Sequence, residues 1–439
     1  MTTPLQRLLS KACDIKPEEE RATLASFSLV LILMGAYYIL RPVRDAMASD
    51  WTDAEVSWLW TFTFLCSTVA VSVYGAAVAR VSIRRLVPAV YACFALSFIL
   101  FYLGTQNLAN RVLLDKTFYV WISLFSLFHI SVFWSFMADT FAKPQATRLF
   151  GFIGAGASIG AIGGPAMAAV LVGDLGTDPL LLVASALVVI TVPLVLWLQQ
   201  LKRTDLHNER VSASASDFDY IGGGPLAGFS EFLQSKYLLG IGLFIFFYTS
   251  IGSFVYFELK NLLADYDVAT RSQIWAGMDL VVNILTVIIG AFATGRIASH
   301  MGLPFTLASV PVLIGAGMLI LAMAPMVAVV VALQVIRRAG NYAISRPARE
   351  MLFTAVDRET RFKAKPVIDI VIYRGGDMLN AWAFTGLTQG LGLGLAAVAA
   401  VGAGIAALWA ATGVYLGRHF NAMKTDEATA GGRAGQHQG

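Results

Sequence analysis

Eight ionisable side chains of this 439-residue chain fall inside long apolar runs: Arg41, Arg44, Arg337, Arg338 and Arg374, with Asp45, Asp279 and Asp377 as acidic counterparts. At the centre of a lipid-embedded helix each costs about 2.5–3.5 kcal/mol even on the milder insertion scales. The set must therefore face protein or water. Either these charges close structural ion pairs between helices, or they line a wet cavity whose surplus of +2 favours anions. Guanidinium suits the second role, because its planar fork grips carboxylate or phosphate through two parallel hydrogen bonds.

The spacing of these residues groups them. In YYILRPVRD, Tyr37, Arg41 and Arg44 share one helix face, and Asp45 lies four residues beyond Arg41, placed to pair with it. Pro42 removes a backbone hydrogen bond and predicts a kink. In VIDIVIYRGGDMLNAW, Asp369, Tyr373, Asp377 and Asn380 form a polar stripe beside Arg374, and Gly375 and Gly376 allow close approach or unwinding. Further polar groups come as Arg337, Arg338, Asn341 and Tyr342; as Asp279 and Asn283; and as Thr249, Ser253 and Tyr256, with Glu258 beyond. His129, near Ser126 and Trp134, reads either as a proton carrier or as a buried structural histidine. The solute-holding candidates are Tyr37, Arg41, Arg44, Arg337, Asn341, Arg374 and Asn380. The coupling or gating candidates are Asp45, Asp279, Asp377 and His129.

Other chemistries find no support. There is no Walker lysine motif, no Ser/His/Asp arrangement and no zinc-ligand spacing; the five histidines are scattered. Cys13, Cys66 and Cys93 have no paired spacing and read as packing residues. Gly154 and Gly156 sit in an apolar run with no preceding strand, which argues against a nucleotide loop. Gly156, Gly160 and Gly164, four residues apart, instead make a small-residue face for close helix packing. We expect no enzyme activity, no cofactor, no metal and no nucleic-acid partner.

The elements that must position these groups follow from hydropathy. The chain is 57% hydrophobic and 14% charged, against roughly 25% charged in soluble domains. Apolar runs of spanning length predict an all-α membrane protein with twelve transmembrane helices, at about 23–47, 54–79, 86–104, 117–140, 147–172, 178–199, 236–259, 270–297, 304–323, 326–345, 366–389 and 392–417. The first run lacks a small-residue cleavage pattern and reads as a retained helix. With the N-terminus inside, 23 basic residues fall in inner segments and 4 (Arg111, Lys116, Lys260, Arg271) in outer ones. That asymmetry places both termini in the cytoplasm. The predicted domains are a six-helix bundle at 1–200, a cytoplasmic linker at 201–235 containing SASASDFDYIGGG, a second six-helix bundle at 236–420 and a disordered tail at 421–439. Leu5, Leu8, Leu9 and Ala12 predict a short helix on the membrane surface. The charged loop VDRETRFKAK reads as an inner-surface latch or as an orientation signal. The halves echo each other: ADTFAKPQATR resembles AVDRETRFKAK at an offset a little under 220 residues. Such a parallel repeat is similar to the major facilitator plan, in which the substrate site lies near the midplane between the halves.

Three segments carry a closer resemblance: ILRPVRD, FWSFMADTFAKPQATRLFGFIGAGASIGA and VDRETRFKAKPVIDIVIYRGGD. They resemble the ATP/ADP (NTP/NDP) exchange translocases of plastids and intracellular bacteria, and still more the homologues of these in free-living bacteria. The resemblance implies a role in transport for Arg44 and Asp45, which match the basic residue and aspartate of the first helix. It implies the same for Arg374, although Asp377 stands where the exchangers carry a lysine. The resulting expectation is secondary active transport of a small organic anion across a bacterial inner membrane by alternating access, with nucleotide exchange as the first candidate. Two alternatives stay open: proton-coupled transport of another anionic solute, and a non-transporting membrane scaffold or sensor.

Overall fold

The computed structural model describes residues 15–206, 227–292, 294–356, 364 and 367–436. Twelve helical elements follow one another. The first six are α1 (Glu20–Met47), α2 (Asp53–Arg80), α3 (Ile83–Asn107), α4 (Val112–Thr140), α5 (Lys143–Leu175) and α6 (Pro179–Thr204). After a short helix at Ala227–Gln234 come α7 (Lys236–Leu262), α8 (Val268–Phe292) and α9 (Thr294–Met323, broken at Gly302 with φ of 74°). Then α10 runs from Val327–Gly340 through a wide π turn at Asn341–Ser345 into Arg346–Leu352. Element α11 joins Val367–Ile372, Tyr373–Thr385 and Gly386–Gly390, its first and last pieces again π turns, and α12 is Leu395–Gln436. No strand occurs among the described residues. Ten of the helices are long and apolar enough to cross a membrane; α2 and α11 are the other two.

The helices are inside-out relative to those of a soluble protein. On α2, Phe62, Leu65, Val69 and Val73 are exposed along one face, as are Leu96, Leu100 and Leu103 on α3. Exposed apolar faces of this extent are satisfied by lipid. The charged and hydroxyl side chains point inward, where Asp45, Asp279, Arg337 and Arg338 are all buried.

The described residues form two compact units. One comprises 15–50, 61–206 and 266–283, the other 51–60, 227–265 and 284–436. This division departs from a simple break at the linker, because two stretches pack with the other half's helices. The start of α2 joins the second unit: Asp53 Oδ1 lies 3.0 Å from Lys260 Nζ, Ser57 Oγ 2.8 Å from Thr385 Oγ1, and Trp60 packs on Tyr256. The first half of α8 joins the first unit, where Arg271 pairs with Asp50 and Asn283 Nδ2 donates to the Ala161 carbonyl at 2.7 Å.

In the first unit α1 packs on α4, α5 and α6. Its approach to α5 is set by glycine. A Cβ at Gly156, Gly160 or Gly164 would meet the carbonyl oxygens of Phe27, Leu31 and Gly35 at 2.5, 2.2 and 2.6 Å. The small-residue face read from the sequence is therefore the seam that holds α1 in place. At the N-terminal end of α1, Glu19 is buried and takes hydrogen bonds from Arg148 (2.8 Å) and Gln145 (3.1 Å) of α5.

Lys260 and Arg271, counted with the outer segments, are 2% and 5% exposed at the ends of α7 and α8, where Asp53 and Asp50 neutralise them. Residues 421–436, expected to form a disordered tail, run on as the last turns of α12. The surface helix at residues 5–12, Cys13, the central part of the linker and most of the VDRETRFKAK loop lie outside the described residues.

Candidate functional site

Each unit carries its own arginine cluster. In the first unit α1 runs unbroken through Pro42 and presents Arg41, Arg44 and Asp45 on its last two turns. Arg44 Nε donates to Asp45 Oδ1 at 2.9 Å, its Nη2 donates to the same oxygen, and its Nη1 reaches Ser123 Oγ at 3.2 Å. Its guanidinium also lies 5.3 Å from the Tyr119 ring centroid, within cation–π range. Arg41 Nε stands 3.6 Å from Asp45 Oδ2 and 3.7 Å from Asp279 Oδ2. Asp45 and Asp279 are each 1% exposed, so two guanidiniums and two carboxylates cancel in a nearly dry pocket. The arginines keep a small exposed fraction, 16% for the Arg41 side chain and 13% for that of Arg44.

Tyr37 and His129 belong to an aromatic packing layer beside that network. The two rings stack at 4.9 Å between centroids and 28° between planes. His129 Nδ1 donates to the Phe125 carbonyl at 2.8 Å, which fixes that nitrogen as protonated; Nε2 faces Met34 Sδ at 3.3 Å. The imidazole is 3% exposed and touches no carboxylate among the described residues. The structure therefore brings Arg41, Arg44, Asp45 and Asp279 together and sets His129 apart from them.

The second cluster holds the surplus charge. Arg337, on α10, is 7% exposed, and no carboxylate pairs with it among the described residues. Its Nε donates to Gln334 Oε1 at 2.9 Å, and its guanidinium lies 5.3 Å from the Tyr248 ring centroid on α7. Gly252, one turn beyond Tyr248, makes the space, since a Cβ there would stand 3.0 Å from Arg337 Nη1. Tyr248 in turn lies 6.1 Å from Tyr373 of α11. Arg374 and Asp377 form a loose pair at 4.0 Å with 29% and 26% of their side chains exposed. Wide π turns flank these groups on α10 and α11, and such turns recur at functional sites because they re-aim side chains.

The other predicted residues of this unit are placed less openly. Asn380 donates to the Gly376 carbonyl at 2.7 Å and reaches Thr249 Oγ1 at 3.4 Å. Gly376 has Thr249 against it, a Cβ there meeting its hydroxyl at 2.5 Å. These contacts pin α11 to α7 and leave the Asn380 amide little donor capacity. Asn341 is half-buried at the start of the α10 π turn. Sequence reasoning missed Tyr119, Ser123, Tyr248, Gln334 and Gly252. Spacing signals Gln334, three residues before Arg337, and ties Gly252 to Tyr248 four residues earlier; nothing in the sequence signals Tyr119, Ser123 or Tyr248. Glu258 is fully buried, and neither of its carboxyl oxygens has a hydrogen-bond partner among the described residues.

Comparison with known proteins adds the family level. The sequence profile described as Major Facilitator Superfamily matches residues 26–348. No curated protein matches in sequence. Among solved structures, a bacterial homologue of the human lysosomal transporter Spinster, inward-facing and unoccupied, superposes with a TM-score of 0.58 at 14% identity, covering 94% of this chain and 98% of that one. A variant of the nucleoside transporter NupG gives 0.63 at 13% identity, covering 92% and 99%. A bacterial metal transporter gives 0.60 at 11%, covering 91% and 98%. At these identities the likeness is one of fold.

Proposed function

Because this chain belongs to the major facilitator superfamily, and is thus a multi-pass membrane transporter of small solutes, we propose that it carries a small organic anion by alternating access across a bacterial inner membrane, with both termini cytoplasmic. The observation that carries the anionic assignment is the seat of Arg337. A buried guanidinium without a carboxylate costs several kcal/mol to leave uncompensated, and a solute carboxylate or phosphate supplies the missing partner. Tyr248 and Tyr373 beside it offer rings on which a planar group stacks. In the first unit Arg41 and Arg44 are already neutralised by Asp45 and Asp279. An anion binding there has to displace a carboxylate, which makes that cluster the coupling or gating member. Together with the resemblance to nucleotide exchangers, this supports a nucleotide in exchange mode as the first substrate to test.

Asp377 favours a second reading. It replaces the lysine of the exchangers, is partly exposed and holds Arg374 only loosely at 4.0 Å, as suits a carboxyl that exchanges a proton with solvent. Transport of a non-nucleotide anion coupled to protons follows from that arrangement.

Reconstituted vesicles test both. Exchange requires internal nucleotide for uptake of labelled nucleotide and needs no pH gradient. Proton coupling lets a pH gradient alone drive accumulation of the anion. Uptake of a negatively charged solute that survives Arg337→Gln unchanged would remove the basis of the proposal.

A further inference from the structure

A shallow, open groove runs over the outer surface of the second unit, between α7 and α12 along one part and over α12 alone along the other. It consists of two adjoining open depressions of about 600 and 470 Å³ that share Ala411 and Tyr415. Its origin is Gly240. A Cβ there would meet Leu416 Cδ2 at 2.9 Å, so the missing side chain lets α12 approach and leaves a furrow alongside.

The lining is sorted by depth. Lys236, the first residue of α7, and Arg418 and His419, near the end of the apolar part of α12, stand at one end. Leu239, Leu243, Ala411 and Val414 supply most of the rest, with the Thr412 hydroxyl among them. Leu243 lies seven residues beyond Lys236, roughly 10 Å deeper along the helix at 1.5 Å per residue. No carboxylate lines the groove, and neither Lys236 nor Arg418 has an ion pair among the described residues. The His419 ring is held parallel to Tyr415, 5.9 Å between centroids and 12° between planes, and lies 5.6 Å from Tyr237, so one wall of the basic end is fixed.

We infer that this groove binds an anionic phospholipid, its phosphate at Lys236, Arg418 and His419 and an acyl chain along Leu243, Ala411 and Val414. Charge complementarity selects this occupant. Basic pockets between helices at the ends of spans take anionic head groups, and the apolar floor continuing from the cations toward mid-membrane suits a chain attached to the phosphate. Placement in the cytoplasmic leaflet rests on the proposed orientation; binding itself rests neither on that orientation nor on transport.

The experiment uses the full chain in neutral detergent, with phosphatidylglycerol and phosphatidylcholine added separately at equal mole ratio. Retention is read by native mass spectrometry and melting temperature. Phosphatidylglycerol should be retained and raise the melting temperature, by mass action on the folded state, while phosphatidylcholine does neither. Lys236→Gln with Arg418→Gln should weaken retention roughly thirtyfold, from the usual contribution per basic residue near a bilayer surface. Ala411→Phe fills the furrow with the charges intact and should also abolish retention, which keeps the test valid if the double variant fails to fold. Equal retention of both lipids, retention surviving Ala411→Phe, or an equal thermal shift from inorganic phosphate alone would each overturn the inference.

Discussion

Gly252 and Arg337 are fitted to one another: a methyl group on the glycine would lie 3.0 Å from the arginine Nη1. The glycine shapes the space in which the guanidinium sits over Tyr248. A larger residue there pushes the charge aside without altering the charge itself.

Gly252→Val should therefore raise the KM for an anionic solute by roughly tenfold or more, the worth of one charge-assisted hydrogen bond (about 1.5–3 kcal/mol). Gly277→Ala is the control, since nothing lies within 4 Å of a Cβ there. It should leave KM unchanged and stabilise α8 slightly. Initial-rate uptake into vesicles by both variants checks this.

Asp45 neutralises both Arg41 and Arg44 while 1% exposed. Asp45→Asn takes a carboxylate from two half-buried guanidiniums, of which Arg41 keeps Asp279, and should cost about 1–3 kcal/mol. Adding Arg44→Gln should restore part of that loss, because the unpaired charge is removed along with its partner. Denaturation of the single and double variants in detergent measures the recovery. Arg44→Gln alone completes the cycle, and a double variant destabilised by the sum of the two single losses would show that the pair is not coupled.

Gly160→Ala places a Cβ 2.2 Å from the Leu31 carbonyl oxygen, which is backbone and cannot rotate away. Separation of α1 from α5 should cost about 1–3 kcal/mol. Gly163→Ala, where a Cβ meets nothing within 4 Å, should be neutral or slightly stabilising. The contrast in melting temperature is the readout.

Glu19 gives the pH prediction. Burial alone would raise its pKa, but hydrogen bonds from Arg148, the Lys16 amide and Gln145, with the Arg148 charge, hold it below the ordinary glutamate value. A carboxyl lowered in the folded state stabilises above its unfolded pKa and loses that contribution as pH falls through the folded one. Glu19→Gln should therefore melt lower than wild type at neutral pH, and the gap should close in acid. A gap that widened in acid would contradict the sign.

Ten of the helices were legible from the sequence because their apolar runs have spanning length; α2 and α11 mix polar residues into theirs and were read from the alternation of the runs around them. The partnership of Arg41 with Asp45 was legible from four-residue spacing. Other pairings were not. Arg44 grips the adjacent Asp45 more closely than Arg41 does, through the reach of its side chain rather than through a shared helix face. Asp279 meets Arg41 only because the first half of α8 belongs to the same compact unit as α1, a relation no local pattern encodes. Lys260 entered only as an outer-segment charge, because hydropathy cannot distinguish a solvated cation from one neutralised by a residue some two hundred positions away. Tyr248 was invisible for the opposite reason: an aromatic ring in an apolar run looks like filling.

The π turns that flank the polar stripe of α11 have a geometric corollary. Each accommodates one residue more than an α-helical turn, so each resets the angular phase of the chain by roughly 100°. The bearing of Tyr373, Arg374 and Asp377 is thus tuned by backbone winding at Val367–Ile372 and Gly386–Gly390. Excising a single residue from either place would swing the stripe around its axis with every side chain of it still present.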